Sequence, residues 1–127
     1  PLTLGDHYLQ AQLRIDALVR ELDAAGWETP VAACPGWRVR DVIAHLYGVV
    51  EDGAAGRIRG IPGPELTAEQ VERHRDTPVA DLLGSWGAAA PLMAAALEQS
   101  ERWPGVMDVV THEHDLRTAL GRPGARR

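Results

Sequence analysis

Apolar side chains recur at three-to-five-residue steps through most of this chain, and nowhere alternate with polar ones over the length of a strand. That periodicity commits the chain to an all-α fold. From about Thr3 to Gly26 the apolar positions are Leu9, Leu13, Leu18, Val19 and Leu22, with Arg14, Arg20, Glu21 and Asp23 between them. Thr3 with Asp6 three residues later is a capping signal, and Gly26 is a stop. The connection from Trp27 to Trp37 contains Pro30 and the turn Cys34-Pro35-Gly36-Trp37. A second helix is expected from Val39 to Ile58 through Val42, Leu46, Val49 and Val50, ending at the break Arg59 to Pro64. Thr67 and Gln70 open a short polar helix that ends near Asp76. Thr77-Pro78 then starts a long one, which reaches about Glu101 through Leu82, Leu83, Trp86, Leu92, Met93 and Leu97. Trp103-Pro104-Gly105 separates it from the last helix, Val106 to Leu120, stopped by Gly121 and Pro123. Four long helices with mostly short connections predict an antiparallel four-helix bundle.

Composition narrows the function. The 127 residues, 45% hydrophobic, suit one domain spanning 1–127, and a start at Pro1 rather than Met suits a piece of a longer protein. A net charge of −5 argues against a nucleic-acid-binding surface. No stretch approaches the roughly 20 apolar residues of a membrane span, and the N-terminus does not read as a signal peptide. The single cysteine, Cys34, excludes a disulfide framework and any multi-cysteine zinc site, and points to a reducing cytoplasm. All thirteen basic residues are arginine, as GC-rich codon usage would produce.

The last helix carries the chemistry. At about 100° per residue, with Asp108 at zero, His112 falls near 40°, Asp115 near 340° and Leu116 near 80°. Asp108, His112 and Asp115 therefore lie on or beside the stripe that faces the core, where a purely structural helix would place aliphatic residues. Glu113, His114 and Arg117 are expected to face solvent. Burying a carboxylate is costly unless it is paired or holds a metal. Asp108 and His112 are four apart, so both can reach one ion, whereas His112 and His114 project about 200° apart and cannot. His45, among Val42, Leu46 and Val49, is the candidate third ligand. Two imidazoles and one carboxylate with an open position is the pattern of a catalytic zinc site. On spacing alone the plainer reading stays open, with His45 a hydrogen-bonded core histidine and Asp108 a carboxylate at a helix start. Asp41, four residues before His45, forms a rival pair and is read as a cap or outer partner. His7 lies near a helix start and His74 reads as solvated. Cys34 reads as a small buried residue, and Trp27, Trp37, Trp86 and Trp103 as plugs at the bundle ends. No phosphate loop, dinucleotide fingerprint or nucleophilic-serine elbow is present.

Two segments, Cys34-Pro35-Gly36-Trp37 continuing to His45, and Asp108 through His112 and Asp115 to Gly121, resemble the mycothiol-dependent maleylpyruvate isomerase family. That family belongs to the DinB-like metal-binding bundles. The resemblance implies a ligand set at His45, Asp108 and His112, with Glu in the relatives where Asp108 stands here. It further implies a divalent metal, expected to be zinc, and a thiol cosubstrate such as mycothiol, which belongs to actinobacteria. A further C-terminal domain often completes the family's substrate pocket. The expected function is a thiol-dependent transferase or isomerase acting on an electrophilic small molecule, with no nucleic-acid or membrane partner. In it the metal lowers the thiol's pKa, and Asp115 orients a ligand histidine or serves as a catalytic base. The alternatives are a metal-dependent hydrolase and a non-enzymatic metal-binding regulatory or interaction domain.

Overall fold

Thr3 caps the first helix as its spacing to Asp6 predicts. Its hydroxyl accepts from the Asp6 amide at 3.1 Å, and the Asp6 carboxylate accepts from the Thr3 amide at 3.0 Å. The computed structural model describes residues 1–58, 63–100 and 103–122. Among them are six α-helices and no strand: α1 (Leu4–Val19), α2 (Ala24–Trp27), α3 (Val39–Ala54), α4 (Pro64–Arg73), α5 (Val79–Ser100) and α6 (Trp103–Ala119). The chain is all-α. The break at 59–62, the helix end at Glu101, the Trp103 side chain and the stop at Pro123 lie outside the described residues.

α1 packs on α5 and α6, α3 packs on the same two, and α4 lies along α3. The four long helices thus close a ring around one core, in which Ile15, Val39, Val42, Ile43, Leu82, Trp86, Val109 and Leu116 are wholly buried. Stacking apolar stripes this way is what keeps such helices formed, since isolated ones of this length are marginal in water.

Several boundaries differ from the sequence expectation for identifiable reasons. α1 stops at Val19 because Asp23 caps a separate one-turn helix, accepting from the Gly26 amide at 2.9 Å, so Gly26 is not the stop. α3 ends at Ala54, and Gly56 follows with φ +73°. α4 begins at Pro64 behind Gly63, a turn before Thr67, and α6 takes Pro104 and Gly105 into its first turn; proline is tolerated there because its missing N–H has no helical partner. Leu13 and Leu92 are exposed rather than in the core. Each lies two residues, about 200°, from buried neighbours: Ile15 for Leu13, and Ala90 and Ala94 for Leu92. Trp86 is a central core residue and not a plug at the bundle end. By length and composition α5 could cross a membrane over Val79–Gln99, contrary to the expectation. Its apolarity comes largely from alanine and leucine, and Leu82, Trp86 and Leu97 are its large buried side chains.

Glu113 also departs from expectation. It is buried, and Arg14 of α1 grips it through Nε at 3.0 Å and Nη2 at 2.9 Å, with Arg117 Nε at 3.1 Å. Burial pushes the Glu113 pKa up, but the two guanidinium groups outweigh it and hold the carboxyl below its ordinary value of 4.5. A carboxyl held low in the folded state stabilises above its unfolded pKa and loses that contribution as pH falls through the folded value. Glu113→Gln is therefore expected to flatten the acid limb of a melting-temperature profile below about pH 4.5. A limb identical to that of the wild type would show that the α1–α6 clasp contributes nothing.

Candidate metal centre

The loop before α3 is shaped by one turn. Trp37 N–H donates to the Cys34 carbonyl at 2.9 Å across Pro35 and Gly36, and Gly36 sits at φ +84°. Proline followed by a residue of positive φ is a type II turn, which glycine adopts without strain. Val31 N–H donates to the Trp37 carbonyl at 2.9 Å, and Val39 N–H to the Thr29 carbonyl at 3.0 Å. These bonds hold Cys34 and Trp37 over the α3–α6 seam. Asp41 caps α3, accepting from the Arg38 amide at 2.9 Å and the Arg38 guanidinium at 3.0 Å. It serves the helix start and does not reach the site.

Three of the sequence candidates converge. His45 Nε2 lies 3.2 Å from Asp108 Oδ2, and His112 Nε2 lies 3.3 Å from Asp108 Oδ1. One ligand atom from each of the three residues falls within 4.8 Å of the others. His45 is buried, while Asp108 and His112 are half-buried at the mouth. Ligands about 2.0–2.1 Å from a tetrahedral ion stand about 3.3–3.4 Å apart, close to each of these two separations, although the imidazoles meet different oxygens of Asp108; two nitrogens and a carboxylate are a donor set that suits a divalent cation. Burial works against the charged form of Asp108, yet hydrogen bonds from His112 and His45 hold its carboxyl well below the usual range. For His112 burial lowers the pKa, and the carboxylates of Asp108 and Asp115 more than restore it.

Asp115 Oδ2 lies 3.2 Å from His112 Nδ1, on the far side of that ring from Asp108. His114 is exposed on the opposite face of α6, and His7 is exposed on α1. His74 is not a freely solvated residue: it is half-buried, pairs with Glu51, and lies 5.2 Å from the Tyr47 ring. Sequence reasoning missed two residues here. Trp37 stacks beside both imidazoles, at 5.4 Å from His45 and 6.3 Å from His112. Gln70 of α4 reaches His45 Nδ1 at 2.7 Å.

Cys34 is half-buried, 3.7 Å from Asp115 Oδ2 and 3.9 Å from His112 Nδ1. Burial first, then the negative charge of Asp115 and Asp108, push its thiol up to about 11. At neutral pH it is a thiol that donates to Asp115. Alkylation of Cys34 by iodoacetamide at pH 7.5, followed by mass spectrometry, is therefore expected to run about two orders of magnitude slower than for a free cysteine. A rate like that of a free cysteine would mean that the thiolate is present.

Comparison with curated proteins and with solved structures finds no significant match. The family model of the mycothiol maleylpyruvate isomerase N-terminal domain matches residues 8–122, a span that holds the turn at Cys34 and all three converging residues. On that match, the chain belongs to the mycothiol maleylpyruvate isomerase N-terminal domain family.

Proposed function

We propose that this chain is a DinB-like four-helix metal-binding bundle that activates a low-molecular-weight thiol of the mycothiol kind. It would act in the cytoplasm as a transferase or isomerase on an electrophilic small molecule. The observation that supports the reading most is the meeting of two imidazole Nε2 atoms on the two oxygens of one carboxylate. Such a cluster is costly to leave without a cation or protons between its members. In this reading His45, Asp108 and His112 hold the cation, with zinc the expected ion. A divalent cation there would lower a thiol's pKa, so that thiolate is available at neutral pH.

The remaining work falls to the chain's own side chains. Asp115 accepts from His112 Nδ1–H and so aims Nε2 at Asp108. Because the same Asp115 oxygen also lies near the Cys34 thiol, its geometry favours orienting His112 over acting as a free base. Trp37 covers the flanks of both imidazoles and limits the approach of water. The test is the visible spectrum of the cobalt-substituted protein with and without added thiol. A thiol-dependent change in the spectrum, with turnover that requires thiol, is the expected result. Turnover without thiol would replace this reading with a hydrolase, and tight cobalt with no exchangeable ligand would replace it with a non-enzymatic module.

A further inference from the structure

We infer that Asp52 and Gln70 form a buried relay that fixes the tautomer of His45, placing the hydrogen on Nδ1 and leaving Nε2 to face Asp108. Both are positioning residues. They lie behind the ring and meet it only through Nδ1.

The direction of the relay follows from what each group can donate. Asp52 is wholly buried on α3; its Oδ1 accepts from Arg57 Nη1 at 2.7 Å, and Arg73 Nη2 pairs with the carboxylate, donating to Oδ2 at 3.3 Å. A carboxylate gripped by two guanidinium groups is ionised and can only accept. Its Oδ2 takes a hydrogen bond from Gln70 Nε2 at 2.9 Å, which fixes the orientation of the amide. Gln70, also wholly buried, must then turn its carbonyl oxygen to His45, 2.7 Å from Nδ1. An acceptor there requires Nδ1 to carry the hydrogen. In a neutral ring Nε2 then carries a lone pair 3.2 Å from Asp108 Oδ2, so the hydrogen bond from His45 to that carboxylate needs a second proton on the ring, and a cation between the two would take its place.

The backbone is shaped for this contact. His45, Gly48 and Asp52 recur at three- and four-residue steps and share one face of α3. A Cβ on Gly48 would lie 2.6 Å from Gln70 Cβ and 2.7 Å from its Cγ. Only a glycine lets α4 approach closely enough to deliver the amide. Arg73, three residues beyond Gln70 on α4, ties that helix to Asp52 and to Glu51 at 3.2 Å.

Polarity can be reversed one link at a time. In Asp52→Asn, the 2.7 Å bond from Arg57 keeps the amide oxygen at the Oδ1 position and turns the new NH2 towards Gln70. Gln70 then flips to present its own NH2 to His45, and the ring must switch to the Nε2–H tautomer. Adding Gln70→Glu to that variant restores an acceptor on both sides of position 70, and with it the original tautomer.

Long-range 1H–15N spectra of the metal-free chain carrying Asp108→Ala, which removes the competing acceptor at Nε2, taken where imidazoles are neutral, read the tautomer directly. The expected pattern is Nδ1–H for His45 in that background alone, Nε2–H once Asp52→Asn is added and Nδ1–H again when Asp52→Asn and Gln70→Glu are both added. With Asp108 intact, zinc affinity should fall about 10–100-fold in Asp52→Asn and recover in the Asp52→Asn/Gln70→Glu double variant. Gln70→Met, which keeps length and removes both amide functions, should weaken zinc by a similar factor and carries the test if Asp52→Asn does not fold. An Nε2–H tautomer in the Asp108→Ala background, or an unchanged tautomer when Asp52→Asn is added and the chain is folded, overturns the relay. The zinc arm rests on the metal reading above. If the tautomers switch as stated and the wild type takes up no zinc, that reading fails and the relay stands.

Discussion

Protein carrying His112→Ala is expected to lose its metal, while protein carrying His114→Ala keeps about one ion per chain, although the two positions are two residues apart. The difference is angular. His112 Nε2 reaches Asp108 Oδ1 at 3.3 Å on the α3 side of α6, whereas His114 stands about 200° away in solvent. Removing one of three protein ligands leaves two, and both geometry and charge compensation suffer. His45→Ala and Asp108→Ala should match His112→Ala, the second most strongly because it removes the one negative charge among the three. Asp41→Ala should leave the metal in place, since Asp41 is spent on the Arg38 amide and guanidinium. The expected cost there is about 1 kcal/mol of stability from the lost cap. Metal stoichiometry by atomic emission after dialysis against buffer without chelator, across the five variants, decides the matter. Retention in His112→Ala with loss in His114→Ala would put the site on the wrong face of α6.

Trp86→Ala should be the most damaging single change to stability. The side chain is wholly buried in α5, within the core shared with α1 and α3, and its Nε1–H donates to the Tyr8 hydroxyl at 2.9 Å. Truncation removes the largest core side chain and leaves a cavity, worth about 3–5 kcal/mol. A domain of this size has only about 5–15 kcal/mol in all. Tyr8→Phe separates packing from hydrogen bonding. It keeps the ring and leaves the buried indole N–H without its acceptor, an expected loss of about 1–3 kcal/mol. Burial pushes the Tyr8 phenol up to about 12, so the hydroxyl is neutral across the range in which these measurements are made. Urea denaturation midpoints test the ordering. Equal losses in the two variants would mean that the hydrogen bond, and not the packing, carries the effect.

What could be read from sequence follows helical period. His45, Asp108 and His112 stood out because each interrupts an apolar stripe, and i,i+4 spacing already places Asp108 under His112. Glu113 shows the limit of that method. It lies near 140° on the scale that puts Leu120 near 120°, close enough to the stripe to be drawn in once Arg14 and Arg117 neutralise it. Leu13 and Leu92 fail in the opposite sense, because a hydrophobic side chain can still fall on the outward face. Gln70 was beyond reach for a different reason. Between Glu69 and Arg73 it looks like any solvated residue, and only the docking of α4 on α3 buries it. The usable clue was Gly48 in mid-helix, which costs about 1 kcal/mol relative to alanine and so marks a close approach.

The proposed ligands sit on α3 and α6, with His45 and Asp108 separated by 63 residues of chain. No local segment of the polypeptide carries the whole set, so an ion recognised by all three residues recognises the native state alone. Mass action then ties the folded fraction to supply: free metal at about 100 times its dissociation constant adds about 2.7 kcal/mol. The melting temperature should climb with free zinc and fall back on chelation. In a cell short of metal, this protein would be degraded faster by proteases that act on its unfolded form.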